Sequence, residues 1–210
     1  MRENIFKIFE NLPSFSKQNL RICFKGSRYA LDERIKRAIK NEYILELKKG
    51  LYVTNLYFLK EPQKSEYKEY LASKLRFPSY LSLEYVLSTH DLLTEAIYTI
   101  TSITLKTTRK YTNFLGIYRY LSIKKDLFFG FEKKSFYKNE YYVATKAKAM
   151  FDFLYLKRNL GNLEKEILEG LRINWDNFLK EDYYLFGKYV KISQSLKMQK
   201  IFKILGKIYA

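Results

Sequence analysis

Apolar residues recur at helical spacing through the first forty positions, alternate with polar ones in Tyr- and Thr-rich stretches in the middle, and return to helical spacing near the end. Residues 3–11, 17–24 and 28–41 read as three helices, and 44–47 and 51–53 as two strands. Between these strands stands Lys48-Lys49-Gly50, where glycine suits the positive φ of a three-residue hairpin loop. In the third helix Leu31, Ile35, Ala38 and Ile39 share one face, while Tyr29, Glu33, Lys36, Arg37 and Lys40 project from the other. Ser27 is placed to cap this helix, its hydroxyl taking an otherwise orphan backbone N–H, after Gly26 has let the chain turn.

Three helices followed by a two-stranded ribbon is the order of a winged helix-turn-helix, which places an N-terminal DNA-binding domain over residues 1–60. The charged Pro62 segment is the boundary, and residues 64–210 form a larger α+β domain. Its pattern predicts helices at 65–76 and 81–89, strands at 96–105, 110–115, 117–123 and 127–131, and helices at 145–158, 163–171, 175–192 and 195–209. The connections look too short for crossover helices, so the predicted sheet is antiparallel, with the helices C-terminal to it.

Charge sharpens this picture. The chain has 210 residues with 39 Lys+Arg against 22 Asp+Glu, a formal net charge of +17. The basic excess is denser over residues 1–60 than over the remainder, and a basic stripe on a helix is the electrostatic footprint expected for nucleic acid. One cysteine, Cys23, and one histidine, His90, leave no internal disulfide and no Cys/His zinc set. The N-terminal stretch does not read as a secretory signal and no apolar stretch reaches a bilayer's width, so a cytoplasmic protein without membrane contact is expected.

A helix fits the major groove of B-DNA, where side chains near its N-terminus reach base edges and its dipole favours a nearby phosphate. Ser27, Arg28, Tyr29, Glu33, Lys36, Arg37 and Lys40 are therefore the candidate DNA-binding residues of the third helix, with Arg28 and Lys36 as guanine readers. Lys48 and Lys49 at the ribbon tip are expected to touch phosphates, which supplies affinity and register without sequence information.

The run over residues 26–53, ending Lys49-Gly50-Leu51-Tyr52, resembles the N-terminal winged helix-turn-helix of the AbiEi-family antitoxins of type IV toxin–antitoxin systems. Phe77-Pro78-Ser79-Tyr80-Leu81-Ser82 and the helix that follows, up to His90, are similar to the opening of that family's second domain. Thr108-Arg109, Phe114-Leu115-Gly116 and residues 120–123 resemble its central sheet, and Thr145-Lys146-Ala147-Lys148-Ala149 with Phe151-Asp152-Phe153 its later helix. The resemblance covers residues 1–158. It implies a transcriptional repressor of its own operon that binds double-stranded operator DNA. It also implies a second domain opposing a nucleotidyltransferase toxin encoded beside it, without a stable toxin complex.

No catalytic set, cofactor site or metal site is expected. His90-Asp91 lacks a serine, a cysteine or a second histidine to form a relay, and His90 suits a helix C-terminus. Asp126 and Glu132 imitate the carboxylates of a magnesium-dependent nuclease, but a strand between them would hold them some 20 Å apart. No phosphate-binding Gly-rich loop occurs. Lys197, Lys200, Lys203 and Lys207 stripe a basic amphipathic last helix, whose Met198, Ile201, Phe202, Leu205 and Ile208 are expected to dock on the core. A stand-alone winged-helix regulator without a toxin remains the alternative to the antitoxin.

Overall fold

The computed structural model describes residues 5–158 and 161–209. The fold is mixed α+β, with a three-stranded and a six-stranded sheet. The N-terminal part opens with a 3-10 turn at Lys7–Phe9, where a longer helix is expected; residues 3 and 4 of that expectation lie outside the described residues. A two-residue strand, β1 (Phe15–Ser16), precedes helices α1 (Lys17–Cys23) and α2 (Arg28–Lys40) and the hairpin β2 (Ile44–Lys48) and β3 (Leu51–Thr54). β1 pairs antiparallel with β3, making the order β1-β3-β2. The hairpin loop is shorter than expected. A bulge at Leu47 lets Lys48 pair with Leu51, so only Lys49 and Gly50 turn, with Gly50 at φ +81° where a side chain would be strained.

This hairpin has two buried faces. Ile44 and Tyr52 join Phe9, Phe15, Leu20, Leu31 and Ile35 in a small core, whereas Leu47 and Val53 belong to the large core of the rest of the chain. Strand alternation is the reason, since neighbouring side chains point to opposite faces. The two expected domains thus share one wall.

Helix α3 (Asn55–Lys60), which the sequence pattern does not single out, is capped by Thr54 and leads through Pro62 into α4 (Lys64–Leu75). The larger sheet is then built from β4 (Ser79–Leu81), helix α5 (Leu83–Thr89), β5 (Ile100–Thr104), β6 (Arg109–Asn113), β7 (Gly116–Ser122), β8 (Phe131–Phe136) and β9 (Asn139–Ala144). Its order is β6-β7-β5-β4-β9-β8.

The expectation of an antiparallel sheet needs correction: β5 pairs parallel with β7, and β4 parallel with β9. A parallel pair needs a return crossing, and β6 supplies it here by running back along the edge in place of a helix. The strand predicted over 127–131 is instead a 3-10 turn, Lys125–Leu127, and a bend at Gly130 (φ +76°). The hairpin β8–β9 escaped the pattern because Glu132, Lys133, Lys134 and Ser135 are all exposed on an edge strand, leaving no alternation to read.

Helix α6 (Lys146–Leu156) is buried over most of its surface. After the short α7 (Leu163–Lys165) and a π turn at Glu166–Gly170, α8 (Lys180–Ser193) and α9 (Leu196–Tyr209) pack as an antiparallel pair. Met198, Ile201 and Leu205 are buried, so the last helix docks on the core as its amphipathic pattern predicts, while Ile208 stays 40% exposed.

α6 carries the most deeply buried charges. Lys148 and Asp152, one helical turn apart and both fully inaccessible, form an ion pair at 2.5 Å. The hydroxyls of Tyr80 and Ser82 donate to the other carboxylate oxygen at 2.9 and 2.8 Å, and the rings of Phe129 and Phe151 lie 5.4 and 4.8 Å from the ammonium. Burial holds the lysine below and the aspartate above their ordinary values, while their mutual attraction opposes both shifts.

Candidate nucleic-acid interface

The two N-terminal helices are held in a fixed relation by local chemistry. Ser16 caps α1 with a reciprocal box, Asn19 N donating to Ser16 Oγ at 3.1 Å and Ser16 N to Asn19 Oδ1 at 2.8 Å. Lys17 of α1 is ion-paired with Asp32 of α2, and the hydrogen bond and charge of this lysine hold the Asp32 carboxyl below its usual value. The turn between the helices is tight at Gly26, where a Cβ would meet the half-buried Phe24 ring at 2.5 Å and displace it. Arg21 donates to the Gly26 carbonyl and pins the same turn.

Ser27 caps α2 as expected, accepting from Ala30 N at 3.1 Å. Leu31, Ile35 and Ala38 are buried, which turns Arg28, Tyr29, Lys36, Arg37 and Lys40 outward along one exposed stripe. Tyr29 is 75% exposed, so its ring is not needed by the core. Glu33 is half-buried and accepts from Lys36 Nζ at 2.7 Å, which orients the lysine and offsets its charge. Arg37 Nε donates to the Glu33 carbonyl at 3.3 Å. Arg28 and Lys40 make no ion pair among the described residues.

The structure separates the two hairpin lysines. Lys49 is exposed at the tip. Lys48 folds back and donates to the carbonyls of Leu75 and Lys74, at 2.6 and 3.2 Å, at the C-terminus of α4. Burial, reinforced by Lys106, Arg76 and Arg109, holds its ammonium below the ordinary lysine value. Its position therefore follows from the bulge at Leu47, which a reading by strand alternation does not contain. Lys25, exposed in the turn before Ser27, adds a cation beside Arg28 that the helical stripe alone does not reveal.

The other sequence candidates stay apart from this face. His90 stands in the C-cap of α5. Asp126 lies in the 3-10 turn and Glu132 on the edge strand β8, and among the described residues no group of three or more His, Cys, Asp or Glu side chains gathers to hold a metal ion. Lys197 points inward, its ammonium taken by the carbonyls of Leu154, Tyr155 and Lys157 at 2.7–3.0 Å, and Lys207 pairs with Glu164. Among the described residues no helix is long and apolar enough to cross a membrane. Comparison with protein-family models and with the curated proteins finds no match to this chain.

Proposed function

We propose that the protein is a DNA-binding transcriptional regulator. Its N-terminal part acts as a winged helix-turn-helix on double-stranded operator DNA, and its larger α+β part carries the antitoxin role that the AbiEi resemblance implies. The observation that carries the DNA reading is the exposed stripe Arg28, Tyr29, Lys36, Arg37 and Lys40 on a capped helix whose opposite face is locked into a core. Such a helix presents base-reading side chains at its N-terminal turns and phosphate-binding lysines further along. In this reading the bound protein occludes the promoter of its own operon in the cytoplasm, and opposes a neighbouring nucleotidyltransferase toxin without binding it stably or catalysing a reaction.

Fluorescence anisotropy with DNA from upstream of the protein's own reading frame tests this. Arg28→Ala with Lys36→Ala is expected to flatten the preference for that DNA over unrelated duplex. Lys49→Ala is expected to weaken all duplexes alike and to lower the salt slope by about 0.9, the value of one phosphate contact. Lys48→Ala leaves that slope unchanged. Undiminished binding after Arg28, Lys36, Arg37 and Lys40 are all replaced by alanine would overturn the reading. The antitoxin role is tested separately by rescue of toxin-expressing cells with that DNA-silent full chain.

A further inference from the structure

The two faces of the six-stranded sheet are covered unequally. α4 lies against the face that carries Tyr118 and Tyr120, both fully buried, with the Tyr120 hydroxyl donating to the Ala72 carbonyl at 2.6 Å. α5 and α6 cover the opposite face over its central strands, but at the β6–β7 end that face is open. There Lys110, Arg119 and Thr101 are direct register partners across three strands, and Lys110 and Arg119 are exposed. Three adjoining cavities of about 520, 490 and 580 Å³ lie along this shelf, between the start of α5, the C-terminal end of α6 and the segment before β5. A volume of this size is that of an ordinary ligand site.

Glu84 lines all three cavities. One oxygen of its carboxylate is shut off from solvent and has no hydrogen-bond partner, although a buried polar atom ordinarily has one. Its backbone is firmly set. Thr101 Oγ1 donates to the Ser82 carbonyl at 2.6 Å and accepts from Tyr85 N at 3.1 Å, and Leu83 is held at φ +63°. Lys110, Arg119 and Arg158 line the same cavities and make no ion pair among the described residues, and Lys157 rests 5.1 Å over the Phe153 ring. Tyr98, 90% exposed, completes the rim.

We propose that this groove binds a single-stranded nucleic acid, with Glu84 accepting N–H groups of one unstacked base while Arg119 and Lys110 hold the flanking phosphates. The carboxylate decides the class of ligand. A free phosphate brings chiefly negative charge, which Glu84 repels, whereas a nucleotide brings phosphates for the cations and amine or ring N–H donors for the acid. In a duplex the Watson–Crick N–H donors are engaged in base pairs, whereas a single strand leaves them free for the acid. Tyr98 offers the exposed ring on which a base can stack. The proposal does not depend on the operator reading, since it uses a different face and a different form of nucleic acid.

The test uses the full chain with Arg28, Lys36, Arg37 and Lys40 replaced by alanine, so that the N-terminal face is silent, and fluorescein-labelled mixed-sequence single-stranded RNA and DNA as probes. Saturable binding is expected, and unlabelled duplex of the same sequence should compete poorly. Adding Arg119→Ala and Lys110→Ala, both exposed and free to change without unfolding the chain, should weaken binding at least tenfold and lower the salt slope by about 1.4, or 0.7 for each phosphate. Glu84→Gln discriminates most sharply. It removes the negative charge, so a merely electrostatic surface would bind tighter, whereas a base donor facing this side chain loses its charged acceptor, one oxygen having become an N–H donor, and binding should weaken roughly tenfold. Tighter or unchanged binding by Glu84→Gln, no saturable binding to either single strand, or equal competition by duplex would each overturn the proposal.

Discussion

At the scale of single residues, the buried Lys148–Asp152 pair is the most demanding feature, because each charge is tolerable only with its partner in place. Lys148→Met leaves Asp152 uncompensated among aromatic rings and is expected to destabilise the fold by about 3–5 kcal/mol in chemical denaturation. Replacing both together by apolar residues should recover much of that loss. Glu42 is a smaller and opposite case. It sits just past the end of α2 at φ +51°, with Tyr43 N donating to the Ala38 carbonyl at 2.9 Å in the geometry that glycine favours. Glu42→Gly relieves a left-handed side-chain conformation and should raise stability by about 1 kcal/mol, read as an increase in denaturation midpoint. The exposed stripe of α2 is legible residue by residue, because Ser27 and the apolar stripe together fix which way the helix faces. Lys48 was not legible, since its direction depends on a bulge and on an α4 terminus 26 residues away.

At the scale of elements, helix ends and helix contacts decide more than helix propensity. Lys197 closes the C-terminus of α6 by donating to the carbonyls of Leu154, Tyr155 and the C-cap Lys157, so Lys197→Met should cost about 1–3 kcal/mol. Lys207→Ala, which breaks only an exposed pair with Glu164, should cost well under 1 kcal/mol in the same assay. The crossing of α8 and α9 depends on Gly187, where a Cβ would meet the Phe202 ring at 2.8 Å. Alanine is the better helix former by about 1 kcal/mol, yet Gly187→Ala should destabilise, because it pushes apart Phe202 and Tyr183, which stack at 4.6 Å. The pattern locates α9 within a residue, since an amphipathic stripe is a local property, but it starts α8 at 175, where a 3-10 turn (Trp175–Asn177) precedes the helix. It misses the β8–β9 hairpin, because β8, paired on one side only, exposes Glu132 to Ser135 and shows no alternation.

At the scale of the whole molecule, the wall shared by the two cores matters most. Leu47 and Val53 come from the N-terminal hairpin but are fully packed in the larger core, and Asn113 Nδ2 donates to the Leu47 carbonyl at 2.9 Å. A chain cut at the expected boundary, residues 64–210, therefore exposes an apolar surface that the intact protein covers. It should melt cooperatively only at markedly lower temperature than the full chain, or bind a hydrophobic dye as a partly folded species. Melting at the temperature of the full chain would show that the wall contributes nothing. The same wall fixes how the α2 stripe stands relative to the larger part.

Features that depend on neighbours along the chain are readable without the structure: the α+β class, the cap at Ser27, the outward stripe of α2 and the docking face of α9. Those signals survive without tertiary structure because a helix repeats every few residues and carries its own start. The parallel pairings of the sheet, the retreat of Lys48, the burial of Lys148 with Asp152, and the shared cavity of Glu84, Arg119 and Lys110 come instead from the packed molecule. All but the Lys148–Asp152 pair join residues far apart in the chain, and that pair is buried by distant partners such as Tyr80 and Ser82, so the free energy that places them comes from burying surfaces that no local pattern describes.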